Sequence, residues 1–409
     1  MSVDVLVLNT AVVDFRRSDF EFVDGLVGKG GLAKCKTKDM PSYSQEQLNQ
    51  WIKQGFATAG GPGNTAPLIA KTGLKVAVGV NLGKGDFDGL DAQGRYFYDI
   101  MVDNNIDMSE TYIHQQLPTG ITFIHEKGGK EREGIAYFPN ANNDFDFEHF
   151  KQAVTRLNPK ILYYMYSGLS DKGDANNGRD LADFIKWSRS QGIVSIVDSH
   201  TLAGEPHKLI SSGTPVAEYK LLMPLLPVVD LFFTSSDEAK IIENTLRSPR
   251  DWTAFDEVET NLHFLDFLTK RFWKNDSRTK MFGVTVTNGA YEKHMLPDGS
   301  VKGPTKIESN FMAGDVIDLI GAGDSFRAGL VAYITHNLDE FTTGSMNFAE
   351  AIQTGNLFAA LFIKAPLHDR YHNIKSYEKI ANVVRGGMSY ATFYDLMAEL
   401  SEDSRFIGK

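Results

Sequence analysis

Residues 311–335 read FMAGDVIDLIGAGDSFRAGLVAYIT, and the rest of the chain is organised around this stretch. Small residues at 321–323 let the backbone approach a ligand closely, and Asp324 follows them at the start of a run with helical spacing. A helix start offers unpaired N–H groups and a positive dipole end to an anion. The stretch therefore predicts a phosphate or oxyanion site with a carboxylate at its rim. An ordinary glycine-rich turn with an acid in the first helical turn explains the same features equally well.

The composition indicates a globular protein rather than a nucleic-acid binder. The chain has 409 residues, of which 42% are hydrophobic and 23% are charged, and its formal net charge is -10. This length suits one large α/β domain with an excursion, or two domains. Contacts with nucleic-acid phosphates need clustered Lys and Arg, so the negative charge argues against such a partner. Cys35 is the only cysteine, which excludes a disulfide framework and a cysteine-based zinc site.

The sequence predicts neither export nor membrane insertion. Residues 1–10 lack the charged and apolar regions of a signal peptide. No apolar run approaches the roughly 20 residues that span a bilayer. We therefore expect a cytoplasmic protein without a membrane partner.

Strand-like and helix-like segments alternate regularly from about residue 145 onward. Such alternation is typical of a mostly parallel sheet covered by helices on both faces. The predicted strands are Ile161–Tyr166, Val194–Asp198, Asp230–Thr234 and Phe282–Thr287. The predicted helices are Phe145–Leu157, Arg179–Gln191, Ala217–Leu222, Glu238–Leu246, Leu262–Phe272, Phe348–Ile363 and Tyr377–Val384.

The first third of the chain contains two β segments that do not fit the strand–helix alternation. They lie around residues 12–25 and 120–138, and the second is interrupted at 126–130 as a β-hairpin would be. We expect them to form a small sheet that stands off the main one. The other elements predicted in this part of the chain suit the main sheet and its helices. They are a buried strand at Val3–Val13, a strand at Leu74–Val80 and a helix at Asp86–Asn104.

Asp14 directly follows the first predicted strand. In open α/β sheets, ligands bind outside the carboxyl ends of the strands, so this carboxylate is well placed to bind hydroxyl groups. A lone Asp after a strand is more often part of a turn or a helix cap. Asp14 alone therefore leaves both interpretations open.

Residues 60–64, Gly-Gly-Pro-Gly-Asn, form a second candidate binding element. Gly61 and Gly63 have the spacing of a dinucleotide fingerprint, which requires a strand directly before the loop. Helical spacing at Glu46–Phe56 precedes the loop instead, and we expect no strand to end there. A loop that lets Asn64 and backbone amides meet a small polar ligand fits better than a dinucleotide site. A purely structural loop remains the alternative.

Together these elements resemble the PfkB/ribokinase family of carbohydrate and nucleoside kinases. The C-terminal signature of that family runs Asp-Thr-x-Gly-Ala-Gly-Asp, and residues 318–324 read Asp-Leu-Ile-Gly-Ala-Gly-Asp. The glycine-rich loop of the family, which ends in Asn, is matched at 60–64, and its early substrate Asp is matched by Asp14. Residues 118–120, Pro-Thr-Gly, match the start of its lid hairpin. The order and wide separation of these elements carry the resemblance, which spans about residues 3–365.

The resemblance implies a ribokinase-like α/β fold, namely a three-layer α/β/α sandwich with a mostly parallel central sheet and a small β-sheet lid. Residues 1–409 would form one kinase domain, in which lid segments at about 12–45 and 118–140 form a small β subdomain. A lid sheet of this kind can also serve as the interface of a homodimer.

The resemblance further implies transfer of a phosphoryl group from ATP to a hydroxyl group of a small sugar or sugar derivative. Asp324 would be the general base of this reaction. A water bound to Mg²⁺ would be held by Glu238, and a monovalent cation such as K⁺ by Asp318. The anion hole would be formed by the amides of Gly321, Ala322 and Gly323.

The same resemblance assigns the two binding sites. The substrate would be held by Asp14, Gly60, Gly61, Asn64 and Thr119. The nucleotide would be held by Thr287, Gly289, Gly321, Gly323 and Asn356.

The chain departs from the family pattern at four positions. Leu319 replaces the Thr of the C-terminal signature, and Asn9 stands where a Gly is common before the substrate Asp. Ser235 replaces the Asn of an Asn-x-x-Glu metal motif that ends at Glu238. Glu292 replaces the last Gly of the Thr-x-Gly-x-x-Gly nucleotide strand. These changes keep the catalytic base and bear on metal and nucleotide binding.

Three alternatives stay open at this stage. The acceptor could be a nucleoside, because aromatic residues near the early loop could stack on a base or, equally, form the core of the lid: Phe15, Phe20 and Phe22. The departures at Leu319, Ser235 and Glu292 also suit a sensor that binds a sugar or nucleotide without catalysis. An NAD-dependent oxidoreductase is the remaining class.

Overall fold

The computed structural model describes residues 2–127, 133–274 and 277–401, so the turn predicted at 126–130 lies partly outside the described residues. The strands are β1 Val5–Leu8, β2 Val12–Arg17, β3 Leu32–Lys34, β4 Ala57–Gly60, β5 Val76–Phe87, β6 Asp107–His114, β7 Gly120–His125, β8 Ile135–Phe138, β9 Ile161–Ser167, β10 Val194–Ser199, β11 Leu231–Ser235, β12 Lys280–Val286, β13 Gly289–Met295 and β14 Val301–Glu308. The helices are α1 Gln45–Lys53, α2 Ala66–Lys71, α3 Ala92–Asp103, α4 Phe147–Leu157, α5 Arg179–Ser190, α6 Pro206–Ser212, α7 Leu222–Leu225, α8 Ser236–Leu246, α9 Glu257–Phe272, α10 Ala322–His336, α11 Leu338–Thr343, α12 Phe348–Ile363, α13 Tyr377–Gly386 and α14 Phe393–Ser401. Within the described part of the chain, no helix is both long and apolar enough to cross a membrane.

Nine strands form the main sheet, in the order β14-β13-β12-β11-β10-β9-β1-β5-β6. All neighbours from β12 to β6 are parallel, while β13 and β14 are added antiparallel at one edge. The predicted mostly parallel sheet is therefore confirmed. The strands predicted from residue 161 onward differ from the observed ones by one or two residues at their ends.

Helices cover both faces of the main sheet. Along β1, Val5 and Val7 belong to one hydrophobic core, while Leu6 and Leu8 belong to the other, as the alternation of side chains along a strand requires. The first core includes residues of α2, α10 and α12, and the second includes residues of α4, α5, α8 and α9. This arrangement is the predicted three-layer α/β/α sandwich.

Five further strands form a small sheet, in the order β3-β8-β7-β2-β4. On one face of it, the ring of Phe15 packs against Trp51 of α1 and Phe123 of β7, with ring centroids 5.9 and 6.3 Å apart. Phe20 packs against the same two rings, and Phe22 against Phe123. These phenylalanines thus form the core of the small sheet, which is one of the two roles that the sequence left open.

The single strand predicted at Val3–Val13 is wrong. The chain forms β1 in the main sheet and β2 in the small sheet, and it turns between them at Asn9 and Thr10. The φ angles of these two residues are 75° and 54°, in the left-handed region that residues other than glycine rarely adopt. Asp14 consequently lies inside β2 rather than after a strand.

Two other predicted boundaries differ from the structure. The helix predicted at Asp86–Asn104 begins only at Ala92, because β5 occupies the start of that segment and Asp91 caps α3. The expectation that no strand precedes the loop 60–64 is also wrong, because β4 ends directly at that loop. However, β4 lies at an edge of the small sheet and pairs antiparallel with β2. It therefore does not build the turn of a parallel dinucleotide-binding unit.

Candidate active site

A cavity of about 290 Å³, named here the site cavity, lies between the small sheet and the N-terminus of α10. The small sheet lines it with Val12, Asp14, Leu32, Thr122, Ile135 and Tyr137. The rest of the chain lines it mainly with Thr10, Gly61, Asn64, Tyr166, His200, Glu238, residues 319–324 and Arg327. The cavity therefore joins the two early candidate elements to the stretch around Asp324.

Asp324 lies in the first turn of α10 and is 7% exposed. Its Oδ2 accepts hydrogen bonds from Nδ2 of Asn64 at 3.0 Å and from the hydroxyl of Tyr166 at 2.6 Å. Its Oδ1 accepts one from Nη2 of Arg327 at 2.9 Å. Three donors thus orient the carboxylate, and its oxygens keep acceptor capacity for a ligand, because an ionised carboxylate has about four lone-pair sites.

Arg327 connects Asp324 to a second buried acid. Its Nε lies 2.7 Å from Oδ2 of Asp198 and donates to the hydroxyl oxygen of Tyr163 at 3.0 Å. Burial raises the pKa of Asp198 to about 6. The guanidinium is therefore fixed between two carboxylates, which makes it a rigid support for Asp324.

Asp14 and Thr10 supply polar groups on the opposite wall of the site cavity. Oδ1 of Asp14 accepts a hydrogen bond from the hydroxyl of Thr122 at 2.6 Å, and burial raises the pKa of Asp14. The hydroxyl of Thr10 is buried and has no hydrogen-bond partner among the described residues. Since an unsatisfied buried hydroxyl costs free energy and Thr10 lines the cavity, it is a candidate ligand contact that the sequence did not reveal.

The loop after β4 places its glycines beside these groups. A Cβ added at Gly60 would lie 2.6 Å from Oδ2 of Asp14, and one added at Gly61 would lie 2.1 Å from the carbonyl oxygen of Thr10. Only glycine fits at such distances. The structure therefore brings together four of the five predicted substrate residues: Asp14, Gly60, Gly61 and Asn64.

The fifth predicted substrate residue, Thr119, is not among the residues that line the site cavity. Its hydroxyl donates to Oδ1 of Asp91 at 2.7 Å and accepts from the backbone N of Gly83 at 2.8 Å. Thr119 therefore holds the start of β7 against the main sheet. Thr122, three residues further on, faces the cavity instead.

The predicted anion hole lies at the N-terminus of α10. Gly321 has a φ of 88°, and a Cβ there would lie 2.8 Å from Cε1 of Phe362. The N–H of Ala322 already donates a hydrogen bond to the carbonyl oxygen of Leu319, at 3.2 Å, which weakens it as a donor to an anion. The first N–H groups of a helix have no intrahelical acceptor, and they give this end a partial positive charge.

A second cavity, of about 560 Å³ and named here the neighbouring cavity, adjoins the site cavity. The predicted nucleotide residues Thr287, Gly289 and Asn356 all line it. The residues that line both cavities are Ser235, Thr285, Leu319, Ala322 and Gly323. The helix N-terminus thus lies between two spaces, one of which contains the carboxylate of Asp324.

Glu238, which is predicted to hold a water bound to Mg²⁺, has a structural role in this fold. Its side chain accepts hydrogen bonds from the hydroxyls of Thr201 at 2.6 Å and Thr234 at 2.9 Å. With Ser235 it forms a capping box at the start of α8, so Ser235 acts here as a helix cap. Glu238 also lines the site cavity, where an acid suits a water bound to Mg²⁺, because Mg²⁺ usually keeps several waters.

Asp318, the predicted ligand of a monovalent cation, is bound by two guanidinium groups. Its Oδ2 lies 2.8 Å from Nη1 of Arg16 and 2.8 Å from Nη2 of Arg370. No group of three or more His, Cys, Asp or Glu side chains suited to a metal ion occurs among the described residues. This geometry does not favour a bound cation at Asp318.

The sequence did not reveal several residues that shape the site: Thr10, Thr122, Tyr163, Tyr166, Asp198, Arg327 and Arg370. A signal is available for Asp198, because it ends a predicted strand and thus has nearly the position that the sequence predicts for Asp14. Arg327 had one too, because a charged side chain in an apolar helical run needs a buried partner. Tyr166 carried none, because its hydroxyl meets Asp324 only through the fold.

The fold is a three-layer α/β/α sandwich with a small second sheet. The site is a carboxylate, fixed by hydrogen bonds, at a helix N-terminus between two cavities. The sequence profile of the pfkB family carbohydrate kinases matches residues 37–259 and 298–368. The chain belongs to the pfkB family.

Solved structures of similar fold cover nearly the whole chain. The adenosine kinase of Anopheles gambiae, in complex with P1,P4-di(adenosine-5) tetraphosphate, is 14% identical with a TM-score of 0.64, and the match covers 92% of this chain and 100% of that one. The fructokinase of Xylella fastidiosa with bound ATP is 15% identical with a TM-score of 0.62, at 95% and 99% coverage. An E. coli protein with ATP and Mg²⁺, for which the name ribokinase II is proposed, is 13% identical with a TM-score of 0.60, at 94% and 100% coverage. These likenesses establish the ribokinase-like fold, and no curated protein sequence matches the chain.

Proposed function

We propose that this protein is an ATP-dependent kinase that phosphorylates a hydroxyl group of a small sugar or sugar derivative. The observation that carries the proposal is the position of Asp324. Its carboxylate lines the site cavity, in the first turn of the helix whose N-terminus separates that cavity from the neighbouring one. A hydroxyl in the first space and a triphosphate in the second would meet at this helix end.

In the proposed reaction, Asp324 accepts the proton of the acceptor hydroxyl as that oxygen attacks the γ-phosphorus of ATP. The new oxygen–phosphorus bond forms while the bond to the leaving ADP oxygen breaks, and the proton later passes from Asp324 to solvent. Hydrogen bonds from Asn64, Tyr166 and Arg327 hold the carboxylate in place. The N–H groups at 321–323 stabilise the charge on the transferring group, which supplies much of the rate in phosphoryl transfer.

The nucleotide is assigned to the neighbouring cavity. Thr287, Gly289 and Asn356 line it, and Lys364 adds a positive charge. Mg²⁺ would supply charge neutralisation at the phosphates, and Glu238 would hold one of its waters. Glu292, which departs from the family pattern, binds His294 at 2.8 Å and is not among the residues lining this cavity.

The acceptor is assigned to the site cavity. Asp14, Asn64 and Thr10 present a carboxylate, an amide and an unpaired hydroxyl to it, a set that suits a molecule with several hydroxyl groups. One observation favours a nucleoside as second candidate: the rings of Tyr137, Tyr166 and His200 also line the cavity. Phe15, Phe20 and Phe22 do not, so base stacking by them is not proposed.

The test is incubation of the protein with ATP, Mg²⁺ and a panel of acceptors, with phosphorylated products identified by mass spectrometry. The panel contains free sugars, sugar derivatives and nucleosides in equal number. Turnover of a sugar, with nucleosides at least tenfold slower, supports the proposal, whereas the reverse order supports the nucleoside alternative. Calorimetric binding of a panel member without any turnover would instead indicate a non-catalytic sensor.

A further inference from the structure

The buried guanidinium of Arg370 lies on the loop that leads into the N-terminus of α10. Its Nη2 donates to Oδ2 of Asp318 at 2.8 Å and to the carbonyl oxygen of Ile320 at 2.7 Å. The guanidinium also lies over the ring of Phe362, 4.3 Å from its centroid. Only 4% of the Arg370 side chain is exposed, so this position is fixed on several sides.

The two oxygens bound by this nitrogen are of the kind that binds a hard cation. A carboxylate and a backbone carbonyl converge on one point, and such oxygens are the usual ligands of hard metal ions. In this chain the point is occupied by a nitrogen of Arg370. A monovalent ion bound to the oxygens of Asp318 and Ile320 would therefore collide with the side chain.

The local charge is also balanced without a metal ion. Arg16 reaches Asp318 from the small sheet at 2.8 Å, and both arginines act electrostatically on the buried carboxylate of Asp14. Two guanidinium charges thus face two carboxylate charges. A further cation at this point would be repelled by Arg16 and Arg370 at short range.

Arg370 also determines which way the amide of Asn64 faces. Its Nη1 donates to Oδ1 of Asn64 at 3.4 Å, and Nδ2 of that amide donates to Asp324 at 3.0 Å. A flipped amide would direct an N–H₂ group at the guanidinium and an oxygen at the carboxylate, so the observed orientation is strongly preferred. A single side chain therefore positions both the loop at 318–320 and a donor to Asp324.

We propose that the guanidinium of Arg370 is a built-in substitute for a monovalent cation, and that the enzyme requires no K⁺ for activity. Arg370 is a positioning residue in this account, since it acts through Asp318, Ile320 and Asn64. The inference rests on the proposed kinase function.

The first experiment compares the wild-type enzyme in KCl, NaCl and choline chloride at equal ionic strength. We expect kcat to agree within twofold among the three salts. A tenfold or greater stimulation by K⁺ would overturn the proposal.

The second experiment replaces Arg370 with Met and, as a milder change, with Lys. We expect kcat of Arg370→Met to fall at least tenfold and to be partly restored by millimolar guanidinium or K⁺, and Arg370→Lys to lose less. Arg385→Met is the matched control, because Arg385 is half exposed, forms an ion pair with Glu350 at 3.4 Å, and does not line either cavity. Full activity of Arg370→Met in choline chloride would overturn the proposal.

A third readout does not depend on turnover. Crystals soaked in Tl⁺ should show no anomalous scatterer at Asp318 in the wild type and one in Arg370→Ala. A Tl⁺ ion at Asp318 in the wild type would overturn the proposal even if no acceptor were found. Absence of any turnover in all three salts, with no Tl⁺ in the wild type, would refute the kinase function instead.

Discussion

At the scale of single residues, the acids of the site differ in what surrounds them. Asp324 is held by Asn64, Tyr166 and Arg327, whereas Asp14 has one hydrogen bond from Thr122 and is otherwise buried beside the cavity. Burial disfavours the ionised form of the Asp14 carboxylate by more than the Thr122 hydrogen bond and the charges of Arg16 and Arg370 favour it, so its pKa is raised. In the proposed function, Asp14 therefore combines acceptor binding with a cost in folding free energy.

This difference predicts a pH dependence for Asp14. Its pKa is raised by burial, so as the pH falls the carboxylate loses its charge, and with it acceptor binding, at a higher pH than an ordinary Asp does. We expect kcat/KM for the acceptor to decline on that acidic limb, and Asp14→Asn to lack the limb and to have a low kcat/KM throughout. KM for ATP should be unaffected.

The same shift fixes the effect of Asp14 on stability. Its pKa is higher in the folded state than in the unfolded one, so the folded state binds the proton more tightly. The contribution of Asp14 to the free energy of unfolding is present below the pKa that it has in the unfolded state. It is lost as the pH rises through the pKa that it has in the folded state. Asp14→Asn should therefore unfold at a temperature no lower than the wild type at pH 7, and a clearly lower Tm would contradict this account.

The residues of the site could be predicted from the sequence only where a local pattern marks them. Asp324 and Asn64 follow glycine-rich runs, and the structure brings both to one cavity with Asp14. Tyr166 and Arg370 lie 158 residues before and 46 residues after Asp324 in the numbering, in segments without any comparable pattern. Their roles depend on contacts that only the folded chain creates.

At the scale of elements, the N-terminus of α10 depends on one backbone conformation. Gly321 has a φ of 88°, and a methyl group there would lie 2.8 Å from Phe362 and 3.0 Å from Asn64. Gly344, at the end of α11, has a similar φ of 77°, with the nearest neighbour 2.7 Å away on Pro297. A side chain would therefore be similarly strained at either position, but only Gly321 lines the site cavity.

This pair gives a matched test of the helix end. We expect Gly321→Ala and Gly344→Ala each to destabilise the fold by about 1–3 kcal/mol, because both place a side chain in a left-handed conformation against a neighbour. Only Gly321→Ala should also lower kcat, by at least tenfold, since it displaces the anion hole. Equal kcat values for the two folded variants, measured well below their Tm, would show that the end of α10 is not part of the reaction site.

The regular elements were predictable wherever helices and strands alternate and each is amphipathic or fully apolar. The helix predicted at Phe348–Ile363 is the observed α12, residue for residue. The failures occur where the chain changes sheets. Asn9 and Thr10 interrupt an apolar run through their backbone angles alone, and β4 consists of four small or polar residues without a strand-like pattern.

At the scale of the whole molecule, both faces of the small sheet are covered by the chain itself. The site cavity lies against one face, and the rings around Trp51 cover the other. Residues of the segment 20–51 thus supply this cover. Among the described residues of this sheet, the edge strands β3 and β4 are the parts left for a partner subunit to contact, as the homodimer prediction requires.

We therefore expect a monomer in solution. Light scattering coupled to size exclusion at micromolar concentration should give the mass of one chain, 45.4 kDa. A mass of twice this value would contradict the prediction. In that case, hydrogen exchange would be compared between concentrated and diluted samples. The edge strand, β3 or β4, that is protected only at high concentration would be the one in the interface.

The measurement that tests the account most directly is single-turnover phosphoryl transfer by Asp324→Asn. Asp315→Asn is the control, because it removes an exposed acid from the same stretch of sequence. We predict that Asp324→Asn binds ATP and acceptor like the wild type and transfers the phosphoryl group about 10²–10⁴ times more slowly, the range expected for loss of a general base. A transfer rate within tenfold of the wild type, in a folded and saturated variant, would contradict the assignment of Asp324 as the base.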